Sequence, residues 1–297
     1  MTNVLKKLFG LTPNPTDDGA FSPSNFSLKV ATSGVTDYSP LHFDSLNKVT
    51  NLKILVVCTE QSKLKMTNGK EFSTGNHPVE MLVPMLHLKN AGFDFDIFTP
   101  TGKPVQIEMW AMPTKDKHVM AIYEEYKNQF DEPKSLADFV KSGFNPSQEY
   151  LAIYFPGGHG VLLGLPDDPN VGSVINWAYE KDMFHLSICH GPAALLAAKP
   201  ADSSKQFVYS GYSIAAFPDK VDRLTPLIGY MPGQLSWFFG ERLLKLGVNV
   251  INSKADKTCH ADRKLITGAS PKAANEFGKL AATKLLKYLN EGCGSKE

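Results

Sequence analysis

A chain of 297 residues, 42% hydrophobic and 21% charged, can bury a sizeable core in one large domain or two small ones and has an ordinary globular composition. Its formal charge of +1 excludes the broad cationic footprint that nucleic acid or anionic lipid would require. No run approaches the roughly 20 apolar residues of a membrane span, and the apolar stretch near Met1 is too short for a signal-peptide core.

Residues 1–50 are irregular, with turn chemistry at Thr12–Gly19 and Phe21–Asn25. The apolar anchors Phe21, Phe26, Leu28, Tyr38, Leu41 and Phe43 predict an extended N-terminal arm laid over the main body. An α/β core domain is expected from 51 to 297. Leu52–Cys58 has the apolar, β-branched run of a strand buried on both faces. Pro78–Ala91 predicts a helix capped by Gly92, and Phe93–Phe98 a further strand. Residues 105–148, with Trp110, Pro113, Pro133 and Lys/Glu-rich turns, predict a peripheral insertion or cap.

Tyr150–Phe155 is the next expected strand, then a helix at Val171–Lys181, a strand at Phe184–Ile188 and a helix at Pro192–Ala198. Later helices are expected at about 233–246 and 271–289, flanking short strands near 248–251 and 264–266. This alternation predicts a doubly wound, mostly parallel sheet with helices on both faces.

In such sheets, sites gather where strands end and the chain turns into a helix. Ser187-Ile-Cys-His-Gly-Pro is one such corner. Cys189 would stand at a strand-to-helix turn, where a helix N-terminus favours thiolate, with the His190 imidazole beside it as base. The competing expectation for a cysteine at a strand end is a buried apolar thiol. The second corner is Pro156-Gly-Gly-His-Gly. Gly157 and Gly158 could aim backbone N–H groups at an oxyanion, with His159 as a further substrate-binding group. Phosphate-loop patterns are absent. Glu80, in the first turn of the Pro78 helix, is either a favourable helix-start carboxylate or a proton carrier near the thiol. Asp222 or Asp219 could orient the imidazole as third member of a triad, and the residues alone do not choose between them.

Gly75-Asn-His-Pro-Val-Glu, Trp110-Ala-Met-Pro, Pro156-Gly-Gly-His-Gly, Cys189-His-Gly-Pro-Ala-Ala, Gly211-Tyr-Ser-Ile, Gly229-Tyr-Met-Pro-Gly and Asp262-Arg-Lys-Leu-Ile-Thr-Gly occur in this order. In them, from about Phe21 almost to the C-terminus, the chain resembles the HchA family within the PfpI-like superfamily. Its members are bacterial heat-shock chaperones also described as glyoxalase III and as protein and nucleic-acid deglycases. The resemblance implies a flavodoxin-like core, a homodimer, and a triad of Cys189, His190 and Asp222 with Glu80 beside the thiol. It implies conversion of methylglyoxal or glyoxal to 2-hydroxy acids, or removal of early glycation adducts from proteins and nucleotides, with no cofactor. Some family members bind zinc through two histidines and a glutamate. The matching positions here are Lys89, Asp94 and Tyr126, so no metal is expected there.

Two other classes compete. A holding chaperone for unfolded proteins would use exposed apolar surface, with Phe21–Phe43 and Trp237-Phe-Phe as candidates. A cysteine amidotransferase or peptidase would need a distal His-x-Glu pair, to which His260-Ala-Asp262 is the nearest match. The four cysteines, Cys58, Cys189, Cys259 and Cys293, form no CxxC pair. This predicts free thiols in a reducing, cytoplasmic setting with no membrane partner, and leaves Cys58, Cys259 and Cys293 as core or tail thiols.

Overall fold

The structure is a computed structural model that describes residues 9–44, 46–48, 52–144, 149–202 and 204–293. Its centre is a seven-stranded sheet of β1 (Leu52–Val57), β2 (Asp94–Thr99), β3 (Lys134–Ser135), β4 (Glu149–Phe155), β5 (Phe184–Ile188), β6 (Cys259–Asp262) and β7 (Leu265–Gly268). The spatial order is β6-β7-β5-β4-β1-β2-β3, and only the edge strand β6 runs antiparallel to its neighbour. Taken without β3 and β6, this is the 2-1-3-4-5 order of flavodoxin-like sheets, with the switch point at β1 and β4.

The continuous apolar runs of the sequence have a simple cause. Along β1, Leu55 and Val57 point into one core while Ile54 and Val56 point into the other. Ile153 and Phe155 of β4 divide from Ala152 and Tyr154 in the same way. Period-two alternation puts successive side chains on opposite faces, and here both faces are covered.

The principal helices are α1 (Asn25–Ala31), α2 (Pro78–Asn90), α3 (Lys117–Asp131), α4 (Pro169–Glu180), α5 (Phe239–Lys245) and α6 (Ala274–Cys293). Residues of α2, α3 and α6 fill the core on one face of the sheet, and those of α4 and α5 fill the other. Boundaries follow local chemistry. Pro78 opens α2, and Gly92, at φ +88°, turns the chain out after it. Asp168 caps α4 by accepting from the backbone N–H groups of Asn170 and Val171.

Several segments differ from the sequence expectation. The stretch 233–238 is turn and only Phe239–Lys245 is helical, while Gly191–Ala198 winds as a 3₁₀ helix. The antiparallel strand β6 and a hairpin of Lys63–Lys65 with Glu71–Ser73 were not foreseen, because short charged strands carry little apolar alternation. Of residues 105–148, read above as a peripheral insertion or cap, the described part, 105–144, is built into the body. Helix α3 buries Val119, Ile122, Tyr126 and Phe130 in the core it shares with α2, and β3 pairs with β2 at the sheet edge. The 1–50 arm, read as extended, carries α1 and adds Phe21–Ser22 beside Glu71–Ser73. Ser24 and Ser27 hydroxyls both donate to the Ile228 carbonyl, at 3.1 and 2.7 Å, which fixes α1 against the 225–230 loop.

Of the chaperone candidates, Phe239 is buried, and the flanking rings of Phe238 and Trp237 are covered by Arg223 and Arg242. Among the described residues no helix is long and apolar enough to cross a membrane. Cys58, Cys189 and Cys259 are free thiols; the side chain of Cys293 lies outside the described residues.

Candidate active site

At the carboxyl end of β5 the chain makes its sharpest turn. Cys189 has φ +60°, a left-handed conformation that costs a side-chain-bearing residue about 1–2 kcal/mol. Two backbone bonds hold it there: Cys189 N–H donates to Gly268 of β7 at 2.7 Å, and its carbonyl accepts from Phe217 N–H at 2.9 Å. The turn throws the side chain off the sheet, into a cavity of about 230 Å³.

His190 follows immediately. Its Nδ1 lies 3.3 Å from Cys189 Sγ, and its Nε2 lies 2.9 Å from Asp222 Oδ2. The other oxygen of Asp222 is 2.9 Å from Nε2 of His159. One buried carboxylate therefore clamps two imidazoles whose ring centres are 4.0 Å apart. Asp219, the rival acid, is spent on capping α5: it accepts from Gly240 and Glu241 backbone N–H groups at 3.0 and 2.8 Å. His159 lines the cavity, but its Nε2 is turned to Asp222.

Burial sets the charges. It would raise Asp222, but the two imidazoles outweigh it and hold the carboxyl well below the usual carboxylate range. Burial also lowers both histidines. For His159 the charges of Asp222 and Glu108 win, and its pKa rises. For His190 burial and the neighbouring His159 charge win, and its pKa falls. Of the two imidazoles, His159 is therefore the one that takes a proton more readily, while His190 is held toward its neutral form. Its Nε2–H donates to Asp222, which leaves the Nδ1 lone pair facing the thiol.

The thiol does not behave as the corner motif predicts. Burial, then the Glu80 and Asp222 carboxyl groups, push Cys189 well above its ordinary range. A 3₁₀ turn at Gly191 offers weaker dipole alignment than an α-helix, and desolvation dominates. Glu80, fully buried on α2, is itself pushed far up by burial, with the thiol beside it pulling the other way. Burial thus favours its protonated form, which can donate toward sulfur instead of repelling it.

Gly157 follows β4, and no other residue fits there: a Cβ would lie 2.7 Å from the Cys189 Cβ and closer still to Glu80 Oε2. Gly158, at φ +106°, lines the cavity. Among the lining residues that were not singled out from sequence as site residues are His77, Glu108 and Tyr230. His77 and Tyr230 lay inside quoted motifs, but nothing in the sequence marked Glu108. The mouth is apolar, with Val30 and Ala31 of α1 facing Phe217, Val221 and Ile228.

His159, His190 and Asp222 are also the one cluster among the described residues whose donor atoms, all within 4.8 Å, could hold a metal ion. Each Nε2 is already spent on Asp222, so the cluster is a proton network as it stands. The zinc positions of the family do converge here, but around a cation. Lys89 Nζ is 2.9 Å from the Tyr126 hydroxyl, 3.4 Å from Asp94 and 2.7 Å from Glu125. An ammonium has no lone pair to give and repels a metal, so this set does not suit zinc. His260 and Asp262 sit on the edge strand β6, away from the residues lining the cavity, with Asp262 engaged by Arg263 and by the Ser213 backbone N–H.

No family model matches the chain. The protein/nucleic acid deglycase HchA of Escherichia coli strain K12 is 48% identical over 270 residues, 91% of this chain and 93% of that protein. HchA of Escherichia coli O157:H7 matches to the same extent. Among solved structures, glyoxalase III of Candida albicans superposes with a TM-score of 0.61 at 19% identity, over 79% of this chain and 97% of that one. That likeness speaks for the fold alone. Nearly half of all positions shared with HchA, over nearly the full length of both chains, places this chain in the HchA family of protein/nucleic acid deglycases.

Proposed function

We propose that this chain is a cofactor-independent glyoxalase and deglycase that works through Cys189. Methylglyoxal and glyoxal are converted to 2-hydroxy acids, and the same carbon is lifted from early glycation adducts on proteins and nucleotides. The observation that carries this is the left-handed corner at Cys189, with a neutral imidazole nitrogen 3.3 Å from its sulfur at a mostly apolar cavity.

The geometry supports the following steps. As sulfur bonds to the aldehyde carbon, His190 Nδ1 takes the thiol proton and then returns it to the new alkoxide, giving a hemithioacetal. Gly157 and Gly158 backbone N–H groups are proposed to hold that oxygen. His190, with Glu80 assisting, next moves the carbon-bound proton to the adjacent carbon, turning the hemithioacetal into a thioester of the hydroxy acid. Water then cleaves the thioester, and sulfur recovers its proton. Oxidation at one carbon is balanced by reduction at its neighbour, so no external electron carrier is needed. From a glycated amine, sulfur takes the carbinol carbon while the free amine leaves with a proton.

The test is lactate formation from methylglyoxal by purified protein, with metal chelated and no thiol added. Cys189→Ser should lower turnover by about 10⁴-fold; turnover within tenfold of wild type sinks the thiol mechanism. A homodimer, binding of unfolded proteins and a cytoplasmic setting belong to the same proposal, the last supported by the free thiols.

A further inference from the structure

Four buried polar atoms of residues lining the cavity have no hydrogen-bond partner: both carboxyl oxygens of Glu80, which stands beside the thiol, and, on the strap away from it, Glu108 Oε2 and His77 Nδ1. Glu108 is 1% exposed and His77 6%. Leaving a buried polar group unpaired is costly, so such atoms in a ligand-sized cavity point to a ligand that pairs with them.

Glu108 and His77 are both held firmly. The Thr74 hydroxyl donates to Glu108 Oε1 at 2.8 Å, which leaves Oε2 as the free edge of the carboxyl. Buried Asn76 ties the two segments together. Its backbone N–H donates to Gln106, its carbonyl accepts from Glu108 N–H, and its amide spans Thr59 and Gln106. His77 N–H donates to the Gly157 carbonyl, which joins this strap to the glycine turn beside Cys189.

The steps proposed above leave one charge without a partner. When the carbon-bound proton leaves the hemithioacetal, negative charge develops on the oxygen of the neighbouring carbonyl, not on the oxygen held by the glycines. We propose that Glu108, with His77 beside it in the cavity, binds this second oxygen and is the acid of the isomerisation; this rests on the oxoaldehyde reaction proposed above. As His190 takes the carbon-bound proton, Glu108 gives its proton to the second oxygen and an enediol forms. His190 then delivers its proton to the second carbon, and Glu108 recovers one from the hydroxyl on the first. The two oxygens of a cis-enediol are neighbours, so one carboxyl can serve both. Burial raises Glu108 to about 7 against the opposing pull of His159 and Thr74, and lowers His77 to about 3, with the His159 and His190 charges adding. A carboxyl near 7 both gives and regains a proton at neutral pH, and a neutral imidazole can polarise a carbonyl. The subsite selects aldehydes that carry an oxygen on the adjacent carbon.

The experiment is methylglyoxal turnover by Glu108→Gln, together with alkylation of Cys189 by iodoacetamide and its protection by methylglyoxal. The expected result is a kcat lower by about 10²–10³-fold, with alkylation and protection within about threefold of wild type. A kcat within threefold overturns the assignment. So does loss of kcat together with loss of alkylation and protection, which would mark Glu108 as support for the corner. Thr74→Val keeps the acid, removes its clamp, and covers a Glu108→Gln protein that does not fold; it should lower kcat about tenfold, and an unchanged kcat again overturns the assignment. Wild-type protein that forms no lactate would remove the oxoaldehyde reaction itself, a failure visible before any variant is made.

Discussion

Asp222 and Asp94 are each gripped by two proton-bearing partners, one in the buried interior and one near the surface. Asp222 holds two imidazoles at 2.9 Å with side chains almost wholly buried. Asp94 holds a lysine and a tyrosine, with its own side chain 48% exposed and that of Lys89 38% exposed. The first cluster is buried at low effective dielectric, so the position of every proton depends on every other. The second is screened by solvent, so its bonds fix geometry and little else. Burial makes the difference, since both clusters use ordinary residue types.

The sharpest way to break this contrast is Asp222→Asn. An amide cannot carry the charge that stabilises His159 and can present the wrong group to His190, so kcat/KM for methylglyoxal should fall by about 10³–10⁴-fold. Stability should fall as well, by about 3–5 kcal/mol at pH 6, because a buried cation is left unpaired. The pH window follows from the signs. Asp222 is depressed in the folded protein, so its contribution is complete above the unfolded value of about 3.9 and is lost as pH falls toward the folded one. His159 is raised, so its contribution is complete below about 6.5 and is lost as pH climbs through its folded value. The gap between wild type and Asp222→Asn in urea unfolding should therefore be widest between about pH 4 and 6.5 and shrink on both sides. A gap independent of pH would remove the charged pair.

His159→Gln probes the same cluster more gently. It removes the cation that holds the pKa of His190 down and leaves Asp222 wholly to His190, so His190 should protonate more readily. The acid limb of the kcat/KM profile should move to higher pH. At pH 6 the loss should be about tenfold, and at pH 8 less than about threefold. A limb that stays in place would mean that some other group is the base.

How much of this was legible in the sequence differs between the same two kinds of place. The corner at Ser187-Ile-Cys-His-Gly-Pro could be read, because a strand, a nucleophile, a base and a helix opener are adjacent in the chain. Its left-handed turn is what that order of residues requires. The protonation balance could not be read, since it arises from His159, Glu80 and Asp222 arriving on different elements and from the burial they share. Glu108 was invisible for the same reason: its role depends on Asn76 tying residues 75–77 to 106–108. The strands β1 and β4 were legible as two-faced apolar runs. Residues 105–148 were read as a cap because their charged faces outnumber the apolar stripe of Val119, Ile122, Tyr126 and Phe130, which nonetheless seats α3 on the body.

The smallest expected effect lies at the other carboxylate. Lys89→Gln removes the cation that binds Asp94, Glu125 and the Tyr126 hydroxyl. With the charged side chains of Lys89, Asp94 and Glu125 one-third to one-half exposed, the Coulomb gain of the cluster is largely screened, so the loss in urea unfolding should stay under about 1 kcal/mol and methylglyoxal turnover should not change. High salt should narrow even that difference, because screening already weakens the wild-type cluster. A loss of several kcal/mol, or a drop in turnover, would show that Lys89 bears on the buried side of α2, where Glu80 sits. The contrast between a screened and a desolvated carboxylate would then need redrawing along α2, which carries both Lys89 and Glu80.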